Sequence, residues 1–121
     1  MDVLGIDHVQ LPMPPGGEAQ ARRFYGEVLG LRELPKPEDM RARGGLWFQA
    51  GPAQLHLGVE EDMRPSQKMH PALVVTNLEQ WSRALVAAGC EWKEAREVPG
   101  VARGHTRDPF GNRLELMQAP R

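Results

Sequence analysis

The chain is short of cysteine, of excess charge and of long apolar runs, and each shortage removes a class of protein. Its single cysteine, Cys90, cannot form an internal disulfide. Cys90 follows an expected helix end, where it reads as a small packing residue, with a reactive thiol as the other reading. With 15 basic and 16 acidic residues the formal net charge is −1, so no overall field draws the chain to nucleic acid or to an anionic membrane. No apolar run approaches the roughly 18 residues that suggest a membrane span. The opening MDVLGIDHVQL carries acid where a secretory signal would carry base. The expectation is a cytoplasmic protein without nucleic-acid or membrane partners. What remains is ordinary: 40% hydrophobic and 26% charged residues over 121 positions. That composition suits one globular domain burying roughly two thirds of its unfolded surface.

The chain reads as one pattern written twice. The charged, proline-bearing stretch EEDMRPSQK (Glu60–Lys68) separates a first module, about residues 1–60, from a second, about 69–121, with a linker at about 61–68. In the first module IDHVQLPM alternates as a strand. EAQARRFYGEVLG then sets Ala21, Phe24, Tyr25, Val28 and Leu29 at helical spacing, and Gly30 suits a helix stop. A weak strand near Arg32–Leu34 and stronger ones in GLWFQA and AQLHLGV follow, with PKPEDMRARGG expected as a loop at the mouth of any site. In the second module HPALVV is the strand, and Asn77 with Gln80 three residues on marks a helix start. Leu78, Trp81, Leu85 and Val86 form its stripe, Gly89 ends it, and EWKEAREV, VARGHTR and RLELMQ complete the set. Two βαβββ modules are the prediction.

Strand alternation sets four polar residues opposite the apolar face. Val9 and Leu11 oppose His8 and Gln10; Leu55 and Leu57 oppose Gln54 and His56; Leu114 and Leu116 oppose Glu115. His70 opens the first strand of the second module, though its faces are less distinct. The positions repeat: His8 and His70 differ by 70 − 8 = 62, and His56 and Glu115 by 115 − 56 = 59. If a pseudo-two-fold relates the modules, their polar faces combine into one concavity holding three imidazoles and a carboxylate. That mixture suits zinc, iron, nickel, cobalt or manganese. Taken singly, a strand histidine is more often a hydrogen-bonded structural residue, and a lone edge-strand Glu is usually solvated.

The duplication together with DHVQL, FYGEVLGL and DPFGNRLEL resembles the vicinal oxygen chelate superfamily (glyoxalase / bleomycin resistance protein / dioxygenase), over essentially the whole chain. The resemblance implies an α+β fold in which two βαβββ modules form a cupped mixed β-sheet with helices on the convex side. It also implies one divalent metal held by His8, His56, His70 and Glu115, a small-molecule substrate with vicinal oxygens, and a homodimer. The expected activity is of isomerase, lyase or transferase type. His56 stands where glyoxalase I relatives usually carry a carboxylate, which weighs against methylglyoxal isomerisation. Relatives using two His and one Glu would leave His56 as a fourth ligand or an acid–base group. A ring-cleaving dioxygenase is a further alternative, and a metal-free, antibiotic-sequestering protein is the competing class.

RDPFGN fits a type I turn with Gly111 left-handed. If Asp108 faces Asn112, then His105 faces Glu115 and Arg103 faces Met117. His105 is therefore a candidate for hydrogen bonding to the site or for proton transfer, with a solvated histidine as the alternative. Arg103 is a candidate anchor for a substrate carboxylate or phosphate. Glu115, His56 and His105 are the catalytic candidates. Of Trp47 and Phe48, alternation sends one to the core and the other to the pocket side.

Overall fold

A computed structural model describes residues 1–120, and the chain separates into two compact units, the first ending at Arg64 and the second beginning at Pro65. Each unit is one βαβββ module, and the fold is α+β.

In the first unit β1 (His8–Met13) leads to α1 (Glu18–Ala21), which continues without a break as π-wound turns over Arg22–Val28. There the Leu29 amide donates to the carbonyl of Phe24, five residues back, at 2.9 Å. Ala21, Phe24, Tyr25 and Leu29 are buried as the helical stripe predicts. Val28 is only half-buried, because the widened turn puts residues five apart on one face and moves Val28 to its edge. Tyr25 stacks on Phe48, ring centroids 5.6 Å apart, which seats the helix on the apolar face of the sheet. Gly30, at φ 69°, ends the helix in the left-handed conformation that glycine adopts without strain. β2 (Arg32–Leu34), β3 (Leu46–Ala50) and β4 (Ala53–Val59) complete the sheet, in the order β1-β4-β3-β2 with β1 parallel to β4 and the other pairs antiparallel. The stretch expected as loop instead forms a 3-10 helix over Glu38–Arg43. Pro37 sets its entry at φ −53°, Glu38 and Asp39 lie in the first turn and Arg41 and Arg43 in the last, charges that complement the helix dipole.

The second unit repeats the pattern: β5 (Ala72–Val75), α2 (Leu78–Ala87), β6 (Lys93–Ala95), β7 (Arg103–Arg107) and β8 (Arg113–Gln118), in the order β5-β8-β7-β6 with β5 parallel to β8. The Asn77 side chain accepts the Gln80 amide at 3.3 Å, the N-cap that the sequence indicated. Two expectations shrink. EWKEAREV contributes only the three residues of β6, and HPALVV pairs only from Ala72, leaving His70 just ahead of the strand. On α2, Leu85 is fully buried and Trp81 half-buried, whereas Val86 is 60% exposed. A short helix over a four-stranded sheet covers a narrower seam than the stripe allows. Among the described residues no helix is long and apolar enough to cross a membrane.

Candidate metal centre

The site in the second unit is registered by the β7–β8 turn. Gly111 at φ 92° lets the chain reverse, and the Asp108 amide donates to the Asn112 carbonyl at 2.9 Å. The Asp108 carboxylate accepts the amides of Phe110 and Asn112 at 2.9 Å each and Asn112 Nδ2 at 2.8 Å. Such an Asx arrangement makes a turn rigid without help from the rest of the fold. The ladder that leaves it pairs His105 with Glu115 and Arg103 with Met117, the register expected from the turn. On the other side β5 pairs Ala72 with Glu115, and the Glu115 amide donates to the Pro71 carbonyl at 3.0 Å, which brings His70 alongside.

Three nitrogens converge on Glu115 Oε1: His70 Nε2 at 3.0 Å, Arg103 Nη1 at 3.1 Å and His105 Nε2 at 3.3 Å. Glu115 is 5% exposed, so these partners and not water set its state. The third contact is close without being a hydrogen bond, since His105 Nε2 is buried with no aligned partner among the described residues. Burial pushes the Glu115 carboxyl up, but the hydrogen bonds from His70 and Arg103 and the charge of Arg103 outweigh it and hold the group below its usual range. Burial pushes the His105 imidazole down, helped by the charge of Arg113, and Glu115 only partly offsets this. Arg103 reaches Glu115 with one terminal nitrogen and Glu97 with the other, at 3.1 Å. Both ends of its guanidinium are thus held by carboxylates of this chain.

His70 carries the decisive geometry. Its Nδ1 lies 2.6 Å from the Lys68 carbonyl oxygen, an acceptor, so Nδ1 bears the proton. In a neutral ring that leaves a bare lone pair on Nε2, which faces the ionised oxygen of Glu115 at 3.0 Å. Two lone pairs at that separation repel unless a cation lies between them, either a second proton on His70 or a metal ion. Donor atoms of His70, His105 and Glu115 all lie within 4.8 Å of one another. A first-row divalent ion with ligand bonds near 2.1 Å places adjacent donors about 3.0–3.4 Å apart, the range of the His70 and His105 contacts to Glu115 at 3.0 Å and 3.3 Å. The donor set and the orphaned His105 nitrogen fit a divalent ion. The Lys68 carbonyl would hold the tautomer of His70 from behind, as second partners of metal-binding imidazoles do.

In the first unit His8 and His56 share a face as alternation predicted. They stack at 4.3 Å between ring centroids, and Trp47 stacks on the other side of His56 at 4.3 Å. Phe48 went to the core and Trp47 to the polar face. His56 is 5% exposed, and its Nε2 lies 2.8 Å from Gln54 Oε1. Burial lowers its pKa, and the neighbouring His8 lowers it further. Each unit therefore brings its own predicted pair together, His8 with His56 and His70 with Glu115. His105 was found through register as a neighbour, but the direct approach of its Nε2 to Glu115 depends on rotamers that alternation does not specify. A cleft of about 760 Å³ in the second unit runs between α2 and the β6–β7 loop and, among its lining residues, meets this group at Arg103.

A family model described as the Glyoxalase/Bleomycin resistance protein/Dioxygenase superfamily matches residues 5–116. A crystal structure of a Bacillus anthracis protein assigned to the glyoxalase family is 42% identical, covers 99% of this chain and 98% of its own, and superposes with a TM-score of 0.95. Lactoylglutathione lyase from Agrobacterium tumefaciens has a TM-score of 0.75 at 18% identity, over 98% of this chain and 96% of that one. TnmS3, an antibiotic binding protein from Streptomyces sp. CB03234, has a TM-score of 0.77 at 19% identity, over 99% of both chains. The last two likenesses establish shared fold alone. No curated protein sequence matches the chain.

Proposed function

Since the chain belongs to the Glyoxalase/Bleomycin resistance protein/Dioxygenase superfamily, we propose that it is a divalent-metal enzyme acting on a small substrate with adjacent oxygens. The reaction is of isomerase, lyase or transferase type, and His70, His105 and Glu115 are metal ligands. The observation that carries this reading is the convergence of donor atoms of His70, His105 and Glu115 within 4.8 Å of one another, with His105 Nε2 buried and unpartnered among the described residues. A divalent ion held there supplies Lewis acidity toward vicinal substrate oxygens. The chain's own residues do the rest. Glu115, ionised and dry, presents a fixed negative oxygen, and His105, with Nε2 unbonded, offers a site that can take a ligand or a proton. Arg103 holds the carboxylate in place from the side of β7. His8 and His56 stay candidate ligands through the resemblance, and His56 a candidate acid–base group.

Cobalt(II) or zinc titrated into metal-free protein should bind at about one equivalent per chain, with a saturable visible band for cobalt. His70→Ala should abolish uptake, and His105→Phe should weaken it by about 10- to 100-fold or more, since even outer-sphere partners of metal ligands are worth that much. The same titration on His8→Ala and His56→Ala decides their part: unchanged uptake in both assigns the ion to the second unit. No uptake of zinc, cobalt, nickel, manganese or iron(II) would sink the proposal in favour of metal-free ligand sequestration. That alternative has a place to act, because the 760 Å³ cleft falls within the roughly 300–1,000 Å³ of whole-ligand pockets.

A further inference from the structure

We infer that the smaller cavity beside His105 binds an oxyanion, the carboxylate or phosphate end of the substrate. The cavity measures about 240 Å³ and is lined by Lys93, His105, Arg107 and Arg113 together with Gln67, Glu91 and Thr106. That volume is below the roughly 300 Å³ at which whole-ligand pockets begin, so it suits a head group. Three cations against the single Glu91 leave the lining with a charge of 3 − 1 = +2.

Sheet register makes this crowding a built feature. Lys93 lies directly across from His105 in the β6–β7 ladder, and Arg107 lies directly across from Arg113 in the β7–β8 ladder. Arg107 and Arg113 are like charges directly opposite each other, which destabilises a sheet, and the chain does little to neutralise them. Arg107 Nη1 donates to the Gly111 carbonyl at 2.8 Å, and its Nε stands a loose 3.6 Å from Glu91. Among the described residues Arg113 reaches only the Gln67 carbonyl, at 3.5 Å. Backbone carbonyls orient a guanidinium without cancelling its charge. Lys93 has no ion-pair partner among the described residues. The arginines are half-buried, so water screens them less than it would at an open surface. An oxyanion would turn the opposed pair from a cost into a paired-fork site.

His105 joins this cavity to the centre, since its ring lines the one while its Nε2 approaches Glu115 in the other. The inference also relocates the anion anchor: Arg103, the candidate from sequence, has both terminal nitrogens on Glu115 and Glu97. Assigning the anion to the substrate rests on the metal-centre reading above; binding of the anion does not.

The test uses ¹⁵N-labelled, metal-free full-length protein, titrated with inorganic phosphate or acetate at ionic strength held constant with chloride. The expected result is saturable shifts at the amides of Lys93, His105, Arg107 and Arg113. In Lys93→Ala/Arg113→Ala, checked for an unchanged far-UV spectrum, affinity should fall by about tenfold or more, the loss of at least one charge-assisted hydrogen bond. Tighter binding of phosphate than acetate identifies a dianionic head group, and the reverse order a carboxylate. Shifts that do not saturate, or that persist unchanged in the double variant, overturn the inference. Cobalt uptake, measured separately, keeps the two readings apart: saturable phosphate binding without metal uptake sinks the centre and leaves the oxyanion site, and the reverse result does the opposite.

Discussion

Glu115 takes its character from three neighbours, and Arg103 is the one whose removal separates structure from chemistry. In the absence of metal, Arg103→Met deletes a hydrogen bond to a buried carboxylate, which should lower stability by about 1.5–3 kcal/mol in urea unfolding. The same change withdraws a positive charge from the ligand, so metal affinity should rise. A variant less stable without metal yet tighter for cobalt is the expected result, and a parallel loss of both would mean that Arg103 only holds the fold. Protonation follows the same partners. Glu115 sits below its usual range when folded, so its contribution is present above the unfolded carboxylate range and is lost as pH falls through the folded value. His56 and His105 are lowered from 6.5; the unfolded chain then binds more protons, and stability should decline as pH drops below about 6.5. The urea midpoint of metal-free protein should therefore fall in two stages on acidification. His105→Phe with His56→Phe should flatten the upper stage, and Glu115→Gln the lower.

The β7–β8 hairpin is the element on which the centre depends. Asp108→Ala removes the acceptor of three hydrogen bonds in the turn and should cost about 3 kcal/mol, with shared geometry keeping the losses from adding fully. Metal uptake should weaken as well, because the register that sets His105 against Glu115 starts there. Retained uptake at lowered stability would show that β5 alone suffices to place Glu115. This hairpin was legible in the sequence because its turn is specified by residues next to one another. The helices were legible in outline for a similar reason, since a stripe of period near 3.6 survives any tertiary setting. Widening after Ala21 and contraction of β6 to Lys93–Ala95 were not legible. Both come from how far a neighbouring element reaches. Trp81 and Val86 show the same limit, lying on the apolar stripe without being covered in full.

At the scale of the whole molecule, a ligand that binds only the folded chain stabilises it by mass action. A divalent ion at about 100 times its dissociation constant adds about 2.7 kcal/mol, a rise in Tm on the order of 10 °C for a chain of this size. His70→Ala should erase that rise while unfolding much as the parent does without metal; an equal rise in the variant would place the ion elsewhere. Val3, Leu4, Ile6, Met69 and Val74 stand exposed, apolar surface of the kind that association covers. Sedimentation should accordingly give twice the 13.5 kDa of one chain, as the resemblance implies, and a monomer at working concentration would refute the homodimer.

By itself the sequence determined the duplicated βαβββ order, the family, the alternation that grouped His8 with His56, and the register of His105 on Glu115. Each of these rests on local periodicity or on a turn whose chemistry is complete within a few residues. Only the tertiary structure decided that His70 turns its Nε2 toward Glu115, and that Arg103 is held between two carboxylates. It alone also showed Lys93, Arg107 and Arg113 lining one cavity. Those outcomes depend on rotamers and on side chains meeting across strands, and a pattern of faces contains neither.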